Sequence, residues 1–213
     1  MAVALVTGAS SGIGLATAVT LARGGHTVIA TMRNPNGAGE LLKIVTEEKL
    51  PVEVAALNVD EDASVREAIG KALAERGHID ILVNNAGVGG GGAVEEVPLD
   101  FFRQMMETNF FGALRCMKAV IPSMRERRHG CIVNVTSIAG RVAMAPQAPY
   151  AASKFALEAL SECLAQEMKA FNVRVAIIEP GVIATPIFSK AKPLPEHSPY
   201  PQLGRLRSCS PHH

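Results

Sequence analysis

Short runs rich in β-branched residues recur along the chain at Val3–Thr7, Thr27–Thr31, Val52–Val59, Ile79–Val83, Cys131–Val135 and Val173–Ile178. Most are apolar throughout instead of alternating, which is the pattern of strands covered on both faces. The segments between them carry apolar residues at helical spacing. Leu15, Ala18, Val19 and Ala22 share one face of the first, and Val65, Ala68, Ile69, Ala72 and Leu73 share one face of a later one. Two longer helical patterns cover Phe101–Arg125 and Ala152–Phe171. Six strands alternating with helices predict an α/β fold, a doubly wound parallel sheet joined by right-handed crossovers. A chain of 213 residues suits one domain, predicted over residues 1–190. Beyond Phe188 the pattern gives way to Pro193, Pro195, Pro199 and Pro201 with scattered basic residues, so 191–213 reads as a loosely held tail.

Charge narrows the partners. The formal net charge is +1, from 21 Lys+Arg against 20 Asp+Glu, and neither nucleic acid nor an anionic membrane is an expected partner. Cys116, Cys131, Cys163 and Cys209 show neither C-x-x-C spacing nor histidines at zinc spacing, so no metal site is expected and the thiols fit a reducing compartment. The chain enters the apolar run Val3–Val6 almost at Met1, and no apolar stretch reaches membrane-spanning length. A cytoplasmic protein without a leader is the expectation.

The first strand leads directly into Thr7-Gly8-Ala9-Ser10-Ser11-Gly12-Ile13-Gly14 and then a helical pattern. Glycines at 8, 12 and 14 permit a tight turn, close approach of backbone to a pyrophosphate, and a helix lying near the strand, whose N-terminus offers free N–H groups. Ser10, Ser11 and Ile13 lie in the same loop. In dinucleotide folds an acid at the end of the second strand binds the ribose 2′-hydroxyl, whereas an arginine accommodates a 2′-phosphate. Here that strand runs into Ala30-Thr31-Met32-Arg33. Arg33 therefore favours NADP over NAD, unless it is simply a solvated surface arginine.

Tyr150-Ala151-Ala152-Ser153-Lys154 places a phenol and an ammonium on one face of a helix. Tyrosine titrates near ~10, so proton transfer at neutrality needs roughly 4 kcal/mol of stabilisation of the phenolate. A unit charge about 4 Å away supplies that much only in a partly closed site. Tyr150 could then give a proton to a carbonyl oxygen or take one from an alcohol. Ser137, expected to end the fifth strand in Ile132–Ser137, could stabilise charge on that oxygen.

The glycine spacing T-G-x-x-x-G-x-G together with Y-x-x-x-K resembles the single-domain subgroup of short-chain dehydrogenases/reductases, a Rossmann-fold family. The resemblance covers about Met1 to Ser189. It implies a catalytic set of Asn109, Ser137, Tyr150 and Lys154. It places Asp60, at the end of the third strand, against the adenine ring, and Asn85, Ala86 and Gly87 of the N-N-A-G element along the cofactor. Pro180, Gly181 and Thr185 would follow the sixth strand over the nicotinamide, Thr185 bonding its carboxamide, and Lys154 would also hold the ribose hydroxyls. Family members continue with a helix pair and a seventh strand. Here six strands are expected, without the seventh.

The resemblance implies an oxidoreductase that moves a hydride between NADP(H) and a small-molecule carbonyl or alcohol. The alternative is a catalytically inactive NADP-binding member acting as a sensor or partner subunit. Ala93, Val94, Val97, Met144, Val182 and Ile187 suggest an apolar substrate pocket. The family also implies a homodimer or homotetramer packed through the two long helices, with Leu157, Leu160 and Leu164 near the contact or, on the competing reading, facing the core.

Overall fold

The fold was determined as a computed structural model, which describes residues 1–183, 187 and 198–200. Six strands form one parallel sheet: β1 (Val3–Thr7), β2 (Thr27–Met32), β3 (Val52–Ala56), β4 (Ile81–Asn84), β5 (Gly130–Val135) and β6 (Val173–Ile178), in the order β3-β2-β1-β4-β5-β6. The helices are α1 (Gly12–Arg23), α2 (Gly39–Glu48), α3 (Asp62–Arg76), α4 (Leu99–Met106), α5 (Gly112–Arg127) and α6 (Ala148–Lys169).

Strand residues alternate between two cores, one on each face of the sheet. Leu5, Ile29 and Leu82 join α3, α5 and α6 residues such as Ile69, Met117 and Leu157. Ala4, Val6, Val28, Ala30 and Val83 instead join Leu15, Ala18 and Val19 of α1 and Leu41 of α2. Burial on both faces explains why the strands read as continuous apolar runs. The chain reverses its winding between β1 and β4, which pair through Ala4–Ile81, Leu5–Leu82 and Val6–Val83. That reversal opens a crevice at the C-terminal strand ends, the usual ligand position in such sheets. β6 is an edge strand of which only Val173 is fully buried, and Ile178 is 48% exposed.

Several expectations shift in detail. The Phe101–Arg125 pattern is not one helix: α4 and α5 are separated by a π-helical turn, Glu107–Phe111, which inserts an extra residue into the hydrogen-bond ladder. The last helix begins at Ala148 instead of Ala152, with Pro149 in its first turn, so Tyr150 is already helical. β3 ends at Ala56, and Asp60 lies in the turn before α3 instead of at the strand end. β5 ends at Val135, leaving Ser137 as the cap of a short 3-10 turn, Ile138–Gly140. Leu157 and Leu164 are buried in the core, and Leu160 packs against it while partly exposed. No helix among the described residues is long and apolar enough to cross a membrane. The predicted tail, 191–213, lies almost wholly outside the described residues.

Candidate active site

The turn after β1 is shaped by close backbone contact. Gly8 has φ +68, and a Cβ there would come within 2.8 Å of Ala86 Cα. A Cβ on Gly14 would fall 2.3 Å from both the Gly8 carbonyl oxygen and Asn85 Nδ2. Only glycine fits where α1 is drawn this close to the sheet. The β4 side is tied to the turn by Asn85 Nδ2, which donates to the Thr7 and Gly8 carbonyls at 2.9 and 3.1 Å. Thr7 Oγ1 accepts from the backbone N–H groups of Asn85 and Ala86, each at 3.0 Å. Thr7 was not singled out in the sequence, although a strand-ending threonine directly before the first glycine is a visible signal.

A cleft of about 380 Å³ runs along this crevice. Gly8, Ser10, Ser11, Gly12 and Ile13 line one side, Arg33 and Asp60 another, and Asn85, Ala86 and Gly87 the floor. Ser11 caps α1 in extended conformation without a side-chain cap bond, and the first turn carries no acid. Its N–H groups and the helix dipole thus suit an anion. Asp60 accepts from Thr108 Oγ1 through Oδ2 at 3.2 Å, while Oδ1 is buried without a partner. Asp60 borders the cleft, and an acceptor left without a partner there is matched by a donor such as the exocyclic amine of an adenine. The exposed Arg33 lies at the rim. These residues fit a nicotinamide dinucleotide, and they are brought together as the sequence reading expects.

The four catalytic candidates gather beyond the other end of the cleft, and all are buried. The Tyr150 phenol is hydrogen-bonded to the Ser137 hydroxyl, which also accepts from Ala139 N at 3.1 Å. Burial holds the phenol above its ordinary pKa, and the Ser137 bond opposes that shift. Lys154 Nζ donates to the Val135 carbonyl at 2.9 Å and lies 5.8 Å from the Tyr150 ring centre. Ser137 is thus the direct partner of the phenol here, and the ammonium acts at longer range. Burial pulls the Lys154 pKa from 10.5 to about 8, against the opposing charge of Glu158.

Asn109 sits in the π-helical turn. Its Oδ1 accepts from Val88 N at 2.8 Å, and its Nδ2 donates to the Val88 carbonyl at 3.0 Å and to Ser153 Oγ at 2.9 Å. A Cβ on Gly87 would lie 3.1 Å from Asn109 Oδ1 and 3.8 Å from Lys154 Nζ, so the glycine lets both side chains close on the cleft floor. The extra residue of the π turn aims Asn109 inward, a local feature that apolar periodicity does not reveal. The Pro180 carbonyl accepts from Ile138 N at 3.0 Å, which fastens the loop after β6 beside Ser137, while Gly181 is exposed. Ile187 packs with Tyr150 and Met105. Thr185 lies outside the described residues. Among the described residues no cluster could hold a metal ion.

Comparison with known proteins is consistent with this geometry. The family profile described as short chain dehydrogenase matches residues 2–195. An uncharacterized oxidoreductase of Bacillus subtilis, YusZ, is 43% identical over 88% of the chain and 67% of its own length. A 3-ketodihydrosphingosine reductase of Bacteroides thetaiotaomicron is 41% identical over 83% of the chain and 62% of its own. The chain thus spans about two thirds of the length of these curated relatives. Among solved structures, a variant of the actinorhodin polyketide ketoreductase with NADPH superposes with a TM-score of 0.84 at 34% identity, covering 87% of this chain and 72% of that one.

Proposed function

The chain belongs to the short-chain dehydrogenase/reductase family, and from that footing we propose that it transfers a hydride between NADP(H) and a carbonyl or secondary alcohol carbon. The observation that carries this reading is the buried Tyr150 phenol bonded to Ser137, with Lys154 one helical turn away. When bound, the nicotinamide ring supplies or receives the hydride. Everything else falls to the protein. Tyr150 donates a proton to the substrate oxygen during reduction and removes it during oxidation. Ser137, already turned toward the phenol, shares the developing charge on that oxygen. Lys154 provides positive potential that favours the phenolate, and burial makes that potential effective.

Arg33 supports NADP as a partner for the 2′-phosphate, and Asp60 supports a dinucleotide of either kind as the acceptor for adenine. The NADPH-bound polyketide ketoreductase among the structural neighbours agrees with that preference. An apolar substrate is favoured by Val94, Val142 and Met144, all exposed although apolar. A sphingoid ketone reductase among the relatives points the same way. We further propose a cytoplasmic homo-oligomer. The test is NADPH oxidation, read at the nicotinamide absorbance, across ketones and aldehydes of increasing chain length. Turnover that rises with chain length supports the reading. Tight NADPH binding with no turnover on any carbonyl favours the inactive, nucleotide-binding alternative.

A further inference from the structure

Glu158 follows Lys154 by one helical turn on the inner face of α6, where its neighbours Leu157, Ser161 and Leu164 are buried. It is 4% exposed, an unusual position for an acid unless it is paired. Two groups hold it. The Thr136 hydroxyl donates to Oε1, and the Arg141 guanidinium stands 3.4 Å from Oε2, which accepts no hydrogen bond. Arg141 itself is shared with Glu162 of α6 and Glu179 after β6, each at 2.9 Å.

The other contacts of Glu158 converge on the proton-transfer pair. Thr136 sits between Val135, whose carbonyl holds the Lys154 ammonium, and Ser137, which bonds Tyr150. A Cβ on Gly140 would lie 3.0 Å from Glu158 Cγ and 3.2 Å from the Lys154 carbonyl, so this turn is packed directly on both residues. We propose that Glu158 is a positioning residue for the Tyr150–Lys154 pair: its buried carboxylate keeps the Lys154 ammonium charged, and through Thr136 it fixes the turn after β5 that carries Ser137. The sequence signal was an acid at a core-facing position of the helix that bears Tyr150 and Lys154.

The charge argument is one of sign. Lys154 is enclosed, and burial alone would push it toward the neutral amine; the negative charge of Glu158 is what opposes that. The other groups around Lys154 are Tyr150 on its own helix and the uncharged Val135 carbonyl, Gly87 and Asn109. Around Glu158 they are Lys154, Thr136 and Arg141, the last bringing Glu162 and Glu179. No other carboxylate approaches the ammonium among the described contacts. This role rests on the proposed reaction for its purpose, but the charge coupling itself does not depend on catalysis.

The experiment titrates Lys154 directly in cofactor-free protein carrying ¹³Cε-lysine, with the resonance assigned by its loss in Lys154→Met. In wild type the midpoint should lie near 8. Glu158→Gln keeps the shape and the acceptor for Thr136 while removing the charge, and should lower the midpoint by about one pH unit. If Glu158→Gln leaves the midpoint unchanged or raises it, the coupling is overturned and Glu158 is a packing element only. Should Glu158→Gln fail to fold, Glu158→Met, an apolar side chain of similar length, takes its place with the same fall expected, and an unchanged midpoint overturns the coupling. Where a carbonyl substrate is in hand, the alkaline limb of kcat/KM should move down with the Glu158→Gln midpoint, whereas Glu162→Gln should leave it in place. Failure of the hydride-transfer reading would appear as absent turnover in every variant, with the lysine midpoints still shifted as stated.

Discussion

Lys154 Nζ and the Val135 carbonyl oxygen are 2.9 Å apart, and this bond fastens the fully enclosed ammonium to the last residue of β5. It joins the catalytic helix to the sheet at the point from which Ser137 projects. The same enclosure makes the charge costly.

Stability should therefore depend on pH through Lys154. Its pKa falls from 10.5 to about 8 on folding, so between those values the unfolded chain binds more protons than the folded one. The cost of burying Lys154 is therefore present in full below pH 8 and is relieved as pH rises toward 10.5. The full shift corresponds to on the order of 3 kcal/mol. Urea unfolding of cofactor-free wild type and Lys154→Met should show the variant relatively more stable at pH 7 than at pH 10. A difference that does not change with pH would mean that Lys154 titrates as an ordinary exposed lysine.

Gly14 offers a test of the turn that brings α1 to the sheet. The methyl of Gly14→Ala would stand 2.3 Å from the Gly8 carbonyl oxygen and from Asn85 Nδ2, and the first of these is backbone that cannot swing aside. Overpacking of this kind costs about 1–3 kcal/mol. Melting temperature should drop, and NADPH affinity should drop further than stability alone explains, because Gly8 and Asn85 line the cleft. Unaltered binding by fluorescence titration would show that the cleft does not rely on this contact.

The strands, their parallel order and the glycine turn were legible because burial on both faces writes long apolar runs, and because only glycine tolerates the contacts at 8 and 14. Tyr150, Ser137, Lys154 and Asn109 were legible as residue types at fixed spacings. What escaped was local and three-dimensional. The π turn leaves no mark on apolar spacing, since Thr108 and Asn109 are buried by an extra residue in the ladder and not by hydrophobicity. The stripe Leu157, Leu160 and Leu164 carried two readings because core and subunit contacts have the same composition, and the core takes Leu157 and Leu164. Asp60 and Ser137 were placed at strand ends, yet both sit in the turns that follow. The hydrogen bond from Ser137 to Tyr150 is likewise a contact across two elements that spacing alone does not show.

Arg33 should govern the choice of cofactor. It is exposed, lines the cleft beside β2, and has no hydrogen-bond or ionic partner among the described residues. Arg33→Asp exchanges a phosphate partner for an acid that suits the ribose 2′-hydroxyl. Fluorescence titration should then give weaker NADPH binding and unchanged or tighter NADH binding, a reversal of at least about tenfold in the ratio. An unchanged ratio would make Arg33 a bystander.

Tyr150 is where binding and chemistry should separate. Tyr150→Phe keeps the ring, which packs with Met105, Ala139 and Ala151, and removes only the hydroxyl that meets Ser137. Cofactor should still bind, while turnover of any carbonyl that serves as substrate falls at least ~10²-fold, the usual cost of losing a general acid. Ser137→Ala should also leave cofactor binding in place and should change the pH profile. The phenol is held above its ordinary pKa by burial, and Ser137 is the bond that works against this. Without that bond the phenol stays protonated to higher pH. For the oxidation direction, which needs the phenolate, the acidic limb of the profile should therefore move upward in Ser137→Ala. The measurement is kcat/KM for alcohol oxidation between pH 6 and pH 10 in wild type and both variants. Near-full activity in Tyr150→Phe would remove the phenol from the mechanism, and a Ser137→Ala profile that falls uniformly without shifting would leave the serine with an oxyanion role alone.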